Sequence, residues 1–110
     1  MHICTMAEGS LSTGETVTLT LNASRRAAIS RNHSAVHLLD AALRRVLGTH
    51  IQQAGSFVND KVARFDFTHF AAVTADELKE VERLVNEKIL EGIAVDTFET
   101  DIESAKKSAP

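Results

Sequence analysis

The chain lacks several features that mark particular classes of protein. Its 110 residues include one cysteine and one proline, and no tryptophan or tyrosine. The lone Cys4 cannot form an intrachain disulfide, which makes a reducing, cytoplasmic setting the default expectation. Apolar runs are a few residues long, whereas a membrane-spanning helix needs about 20. The first ten residues, MHICTMAEGS, also lack the basic and then apolar order of a signal peptide. We therefore expect a cytoplasmic protein with no membrane partner.

Composition and charge limit the chain further. With 44% hydrophobic and 25% charged residues it resembles an ordinary globular protein, and we expect residues 1–110 to form a single domain. The net charge of −3 argues against a general nucleic-acid binder. The charge is uneven, however: residues 24–64 carry seven bases against two acids, and residues 76–103 carry ten acids against three bases. This asymmetry suits an anionic ligand near the basic half, or simply two solvated faces of opposite sign.

Hydrophobic periodicity predicts the secondary structure. Residues 16–21, TVTLTL, alternate in the manner of a half-buried strand, and Asn22 and Ser24 can cap a short helical stretch over residues 25–29. Residues 32–47 have apolar side chains three and four apart and are followed by Gly48, which predicts a helix. Residues 56–67 predict a hairpin that turns at Asn59 and Asp60.

The second half of the chain predicts one more long helix and a final strand. Thr74 and Glu77 have the spacing of a capping box, and Gly92 supplies the end of that helix. Ile93, Val95 and Phe98 predict the last strand. We therefore expect an α+β fold, with an antiparallel or mixed sheet and two main helices packed on one side.

Two histidines stand four residues apart in the segment RNHSAVHLL. On a helix, side chains with this spacing have Cβ atoms about 5–6 Å apart, so His33 and His37 can meet on one zinc ion. Asp40 can orient an imidazole, and Arg44 can hold an anion nearby. Taken alone, the motif more often marks an exposed polar stripe. Ser34 also occupies the position where a zinc protease of the HExxH type has glutamate, which argues against a protease.

Two ligands do not complete a zinc site. A catalytic zinc has three protein ligands and an open position. The other metal-binding residue types in the chain have no ligand-like spacing; they are His2, Cys4, His50 and His69.

The order of the motifs is more specific than the histidine pair. The helix motif at residues 32–39, the Gln-x-Gly-Ser at Gln53–Ser56 and the Arg-Phe-Asp-Phe at Arg64–Phe67 together closely resemble the editing domain of alanyl-tRNA synthetase. The chain also resembles, less closely, free-standing alanyl-tRNA editing proteins and the matching domain of threonyl-tRNA synthetase. The resemblance runs from about Gly9 to near the end of the chain.

The resemblance implies both an activity and a set of site residues. Such domains hydrolyse the ester that joins serine or glycine wrongly to the 3′ end of alanine tRNA, because binding alone discriminates weakly between small side chains. Carried over, His33 and His37 are zinc ligands and Gln53 lies at the active site as its catalytic residue. The implied cofactor is Zn²⁺, and the implied partner is the acceptor end of tRNA(Ala).

The chain departs from the family pattern at several points. It stops before the Cys-x-x-x-His segment that supplies the other two zinc ligands. We therefore interpret residues 1–110 as the central part of an editing domain, with an incomplete zinc site and little or no activity as a fragment. Asp40 replaces a commonly seen histidine. Val36 replaces a threonine whose hydroxyl helps to recognise serine, so it lies in the substrate site but puts selectivity for serine in doubt.

Other residues have a functional and a structural interpretation. Ser56 can bind substrate or simply follow Gly55 in a turn. Arg31, Arg44 and Arg64 can contact phosphates of the tRNA end, or, for Arg64, pair with an acid across the strands. We expect Phe57, Phe65, Phe67 and Phe70 to lie in the core rather than to stack on bases. We expect Asn32 to cap the helix.

Three alternatives to a catalytic piece remain. The chain can be a non-catalytic module that binds a tRNA end or a synthetase. It can be a structural domain that self-associates through surface exposed by the missing segments. A different metallohydrolase would use His33, His37 and His69.

Overall fold

A computed structural model describes residues 1–108. Along this part of the chain it contains, in order, helix α1, a two-stranded antiparallel hairpin β1–β2, helix α2 and a short helix α3. Their bounds are Ala23–Leu47, Gln52–Val58, Ala63–Thr68, Ala75–Glu91 and Ile102–Ser108. α1 packs against both strands and against α2. The expected α+β class, with an antiparallel sheet and helices packed against it, is confirmed.

Helix α1 is one helix where the sequence predicted two. It begins after Asn22, whose side chain accepts a hydrogen bond from the backbone N–H of Arg25 at 3.0 Å. The helix then continues through the polar residues 30–34, because none of them is a proline or glycine that would interrupt the hydrogen-bond ladder. Its side toward α2 buries Ala42 and Leu43. The expected helix stop at Gly48 is confirmed, with a positive φ of 119° that favours glycine.

Asn32 does not cap a helix, contrary to our expectation. It lies in the interior of α1, and its side-chain amide donates to the backbone carbonyl of Asn59 at 2.9 Å. Asn59 is the first residue of the hairpin turn, and its own side chain accepts from the backbone N–H groups of Lys61 and Val62. Asn32 therefore attaches the hairpin turn to α1.

Helix α2 matches its sequence signals closely. The capping box between Thr74 and Glu77 is present in both directions, and Gly92 closes the helix in the left-handed conformation with φ 59°. The carboxylate of Glu77 accepts from the Thr74 backbone N–H at 2.8 Å and from its hydroxyl at 2.9 Å. These bonds lower the pKa of Glu77 from its ordinary value. Val81 and Leu84 are buried against α1, whereas Leu78 and Ile89, nearer the two ends of the helix, are half exposed.

The core is small and lies where α1, α2 and the hairpin meet. Ile51, just before β1, is fully buried between them. Phe65 and Phe67 of β2 pack against this cluster, as expected for core residues. The other two phenylalanines assigned to the core, Phe57 and Phe70, are 49% and 84% exposed, so the expectation was wrong for them.

The two outer predicted strands do not form. Residues 15–22 and 93–101 have no regular secondary structure, and their apolar side chains are exposed. Leu19, for example, is 71% exposed and Val95 is 81% exposed. A strand requires a hydrogen-bonded neighbour, and neither segment has one among the described residues. The radius of gyration is 19.7 Å, whereas a compact domain of this length has about 13 Å.

Within residues 1–108 none of the helices combines the length and the apolar character that a membrane span requires.

Candidate functional site

A small pocket lies between the middle of α1 and the inner face of the hairpin. Its volume is about 200 Å³. It is lined from α1 by His33, Val36, His37 and Asp40, and from the hairpin by Gln53, Ser56, Val58 and Phe65. The structure therefore brings together both predicted zinc ligands, the predicted catalytic glutamine and two of the five predicted substrate residues.

The two imidazoles are close neighbours on one side of α1. The ring centroids of His33 and His37 lie 5.2 Å apart, and the ring planes meet at 66°. Both side chains are exposed rather than sealed in the core. Two exposed rings at this separation can turn their nitrogens toward one ion at the roughly 2.0–2.1 Å that zinc prefers. The donor type and the spacing fit two ligands of a zinc site.

The described residues supply only this pair. Within residues 1–108 no third His, Cys, Asp or Glu joins His33 and His37 in a group that could hold a metal ion. His50 and His69 contact each other instead, with Nε2 and Nδ1 2.8 Å apart. Cys4 is exposed in a segment with no regular secondary structure.

A β-bulge places Gln53 and Ser56 on the same face of the hairpin. Side chains alternate along a strand, so residues three apart normally point to opposite faces. The pairing shifts between Gln53 and Gly55, which leaves Ala54 as the extra residue. As a result Gln53 stands opposite Phe67, and Ser56 stands opposite Phe65. The Nε2 of Gln53 donates to the Oγ of Ser56 at 3.1 Å. Both polar side chains therefore face α1.

Gly55 allows the strands to approach closely at the bulge. A Cβ atom at this position would meet the carboxylate oxygen Oδ2 of Asp66 at 3.1 Å, which is tighter than ordinary van der Waals contact. The glycine of the Gln-x-Gly-Ser motif thus has a local packing reason. The Gln-x-Gly-Ser motif also contains the bulge that turns Gln53 toward the pocket. The alternation of side chains along a strand would not reveal this position.

Val36 gives the pocket an apolar wall. It is 8% exposed and is the one lining residue of α1 that counts as buried. Val58 and Phe65 add apolar surface from the hairpin, and sequence reasoning had not assigned either to the site. Val58 is two residues after Ser56 on β1, and Phe65 pairs with Ser56 across the hairpin, so all three lie on the same face. The alternation of side chains along each strand could have indicated this. The pocket is therefore polar at the imidazoles, Asp40, Gln53 and Ser56, and apolar at its other walls.

Asp40 lies at one edge of the pocket but does not orient an imidazole in this structure. Its Oδ1 accepts from the guanidinium Nε of Arg44 at 3.2 Å, one helical turn further along. Arg44 thus neighbours the pocket through Asp40, without lining it.

Arg31 and Arg64 lie elsewhere. Arg31 is exposed and lines a larger groove of about 780 Å³ between α1, the end of α2 and residues 92–95, with His37 at the border of the two pockets. Arg64 lies on the outer face of the hairpin, where its Nε donates to Asp66 at 3.2 Å within the same strand. The structural interpretation had Arg64 pair with an acid on the other strand. It was wrong, because Asp66 lies on the same strand as Arg64.

Comparison with known proteins shows that the chain is similar to a segment of much longer proteins. No protein-family model matches it. Over 107 residues, 97% of the chain, it is 53% identical to alanine–tRNA ligase 1 of Lachnoclostridium phytofermentans and 54% identical to alanine–tRNA ligase of Acetivibrio thermocellus. The match spans only 12% of the length of each relative. The comparison confirms the resemblance to alanyl-tRNA synthetase, and the chain is similar to one segment of the alanine–tRNA ligases.

Proposed function

We propose that this segment is part of an editing centre that hydrolyses the ester of mischarged seryl- or glycyl-tRNA(Ala). The observation that carries the proposal is the shared pocket of His33, His37, Gln53 and Ser56. These residues come from two separate motifs, and folding gathers them around one space of about 200 Å³. That volume is below the roughly 300–1,000 Å³ of pockets for drug-sized ligands, which suits a small aminoacyl group.

Zinc is the cofactor that the two imidazoles suit. His33 and His37 would hold it from α1, with further ligands from outside the described residues. When bound, zinc supplies a Lewis acid that can polarise an ester carbonyl or lower the pKa of a water molecule. The pocket then needs protein groups that place the water and the ester relative to each other.

Gln53 supplies the positioning group. Its amide carries both donors and an acceptor and does not ionise near neutral pH, so it orients water or substrate rather than acting as a base. The hydrogen bond from Gln53 to Ser56 restricts the amide and leaves its other polar atoms for ligands. Ser56 adds one hydroxyl that can bind substrate directly.

The flanking cations would guide the tRNA end. Arg31 at the neighbouring groove and Arg44 beside Asp40 lie on either side of the pocket along α1, where they can meet phosphates. Arg64, on the outer hairpin face, can reach only a more distant phosphate. To bind a phosphate, Arg44 would break its ion pair with Asp40, and Arg64 would break its ion pair with Asp66.

A chimeric synthetase tests the proposal. The matching 107 residues of the Acetivibrio ligase are replaced by those of this chain, and hydrolysis of seryl- and glycyl-tRNA(Ala) is measured beside the unmodified ligase. Gln53→Ala is expected to lower the rate about 100-fold or more, as loss of a precise positioning group does. Gln52→Ala is the matched control, because Gln52 is adjacent in β1 and does not line the pocket. Equal losses in both variants, or undiminished hydrolysis in Gln53→Ala, would contradict the proposal.

The same chimera distinguishes catalysis from simple binding. A non-catalytic module would bind the tRNA end without accelerating hydrolysis, with or without zinc. Retained tRNA affinity together with a hydrolysis rate no greater than the uncatalysed one, while the unmodified ligase is active, would favour the module.

The apolar side chain of Val36 predicts a preference between seryl-tRNA and glycyl-tRNA. A serine hydroxyl placed against its methyl groups lacks a hydrogen-bond partner there, whereas glycine has nothing to lose. Val36→Thr is therefore expected to raise hydrolysis of seryl-tRNA relative to glycyl-tRNA by roughly tenfold, the factor given by about 1.4 kcal/mol. The ratio of the two rates in the chimera checks this, with Val36→Ala as the control that changes the volume of the pocket without adding a hydroxyl.

A further inference from the structure

His50 and His69 form a second histidine pair that the proposed site does not use. His50 lies in the loop between α1 and β1, and His69 directly follows β2. Their Nε2 and Nδ1 atoms are 2.8 Å apart. The last pair of the strand ladder is Gln52 with Thr68, so the two rings meet just beyond the open end of the hairpin.

The ring geometry identifies the contact as a direct hydrogen bond. The ring planes are inclined by only 20°, and the centroids lie 5.0 Å apart. The centroid separation exceeds the nitrogen separation by about the width of one ring, so the two rings meet edge to edge. The two nitrogens therefore point at each other and not at a common third point, where a metal ion would lie. One ring donates its N–H and the other accepts through its lone pair.

Such a bond depends on the number of protons in the pair. A neutral imidazole has one donor and one acceptor, whereas a doubly protonated ring has only donors. The bond survives one added proton but not two, because two imidazolium rings have no acceptor and repel each other. Histidine is the side chain whose charge ordinarily changes between pH 5 and 8.

The elements next to the pair carry charged groups whose main partners lie elsewhere. From the start of α2, the carboxylate of Glu77 interacts with His69, although its main partners are the backbone N–H and hydroxyl of Thr74. At the end of α1, Arg44 is paired with Asp40, and Arg45 interacts with Glu80. On β2, Asp66 is paired with Arg64.

We propose that His50 and His69 form a proton-sensitive clasp that closes the open end of the hairpin. Above neutral pH the shared N–H joins the loop before β1 to the residue after β2. In acid the second proton breaks the bond and frees that end. The clasp lies three residues from Gln53, so its opening loosens the strand that carries the pocket glutamine. Phe70, whose ring centroid is 4.8 Å from His50 and 4.7 Å from His69, covers both rings.

Hydrogen exchange in the full 110-residue chain tests the clasp. Protection of the amides at the open end of the hairpin, around Gln52 and Thr68, is measured at about pH 7.5 and about pH 5, the limits over which histidine titrates. After correction for intrinsic exchange, we expect protection to fall roughly fivefold in acid, the factor of one ordinary hydrogen bond. His50→Gln and His69→Gln should remove this pH dependence, because glutamine gains no charge. His2→Gln, an exposed histidine of the N-terminal segment, should keep it.

The hydrogen bond can also be measured directly in the unsubstituted chain, so the test does not depend on the variants folding. In the ¹⁵N-labelled chain, a scalar coupling across the N–H···N bond should be present near pH 7.5 and absent near pH 5. Absence of the coupling near pH 7.5, its persistence near pH 5, or a protection change that survives in a folded His50→Gln variant would overturn the proposal. These readouts depend neither on zinc nor on tRNA, so they are independent of the proposed hydrolysis.

Discussion

The central part of the chain and its outer segments carry similar apolar patterns but reach different structures. In residues 22–91 the apolar positions of α1, β2 and α2 meet one another and form a core. In residues 15–22, where apolar and polar side chains alternate, and in residues 93–101 the chain is irregular and its apolar side chains are exposed. Alternation therefore specifies which face of a strand is apolar, whereas the strand itself requires a neighbour that completes its hydrogen bonds.

The largest expected effect is on stability and separates the two regions directly. Leu43 of α1 is 3% exposed within the core, and Leu19 of the outer segment is 71% exposed. Leu43→Ala should lower the free energy of unfolding by about 2–5 kcal/mol, because it removes buried methyl groups and leaves a cavity. Leu19→Ala should change it by less than about 0.5 kcal/mol. Urea denaturation of both variants measures the contrast; comparable losses would mean that the outer segment is packed after all.

A smaller effect concerns the attachment of the hairpin to α1. The hydrogen bond from Asn32 to the carbonyl of Asn59 is partly buried and joins residues 27 positions apart. Asn32→Ala should cost about 1–2 kcal/mol, because the carbonyl loses its partner while remaining shielded from water. Asn22→Ala, which removes a helix cap at an exposed position, is the comparison and should cost about 1 kcal/mol. Only Asn32→Ala should increase hydrogen exchange in the turn at Asn59, and equal exchange in both variants would refute this role.

The smallest effect is the pH dependence of the α2 cap. The pKa of Glu77 is lowered, first by the Thr74 backbone N–H and then by its hydroxyl. A group whose pKa is lowered by folding stabilises the fold above its ordinary value of 4.5 and loses that contribution as the pH falls through the lower folded value. Thr74→Ala should therefore be destabilising near neutral pH by about 1 kcal/mol, and its deficit should shrink below about pH 4. Thermal unfolding of both proteins at the two pH values tests this, and a constant deficit would contradict it.

Local signals predicted the elements whose stability is mostly local. The capping box of Thr74 and Glu77, the stop at Gly92 and the turn at Asn59 all involve residues a few positions apart, and each is present. The spacing of His33 and His37 likewise placed both rings on one side of a helix. These contacts are predictable because the chain between the partners is too short to allow many alternatives.

The failures concern contacts between distant residues. The partner of Asn32 is 27 residues away, so the sequence offered only the local interpretation of a cap. The pairing of His50 with His69 depends on the ends of the hairpin meeting, which no spacing rule expresses. The bulge at Ala54 was equally hidden, and without it Gln53 and Ser56 would face opposite sides of the sheet. The family resemblance pointed to Gln53 where the physical pattern did not.

Titration of the 110-residue chain with zinc, followed through the imidazole NMR signals of its five histidines, tests whether His33 and His37 bind one metal ion. If two ligands give about half the free energy of a complete zinc site, the dissociation constant lies between about 1 μM and 0.2 mM. We expect the signals of His33 and His37 to shift together in this range, those of His2, His50 and His69 not to respond with them, and His37→Ala to abolish the response. Zinc binding that first shifts His50 and His69, or that survives in His37→Ala, would contradict the account.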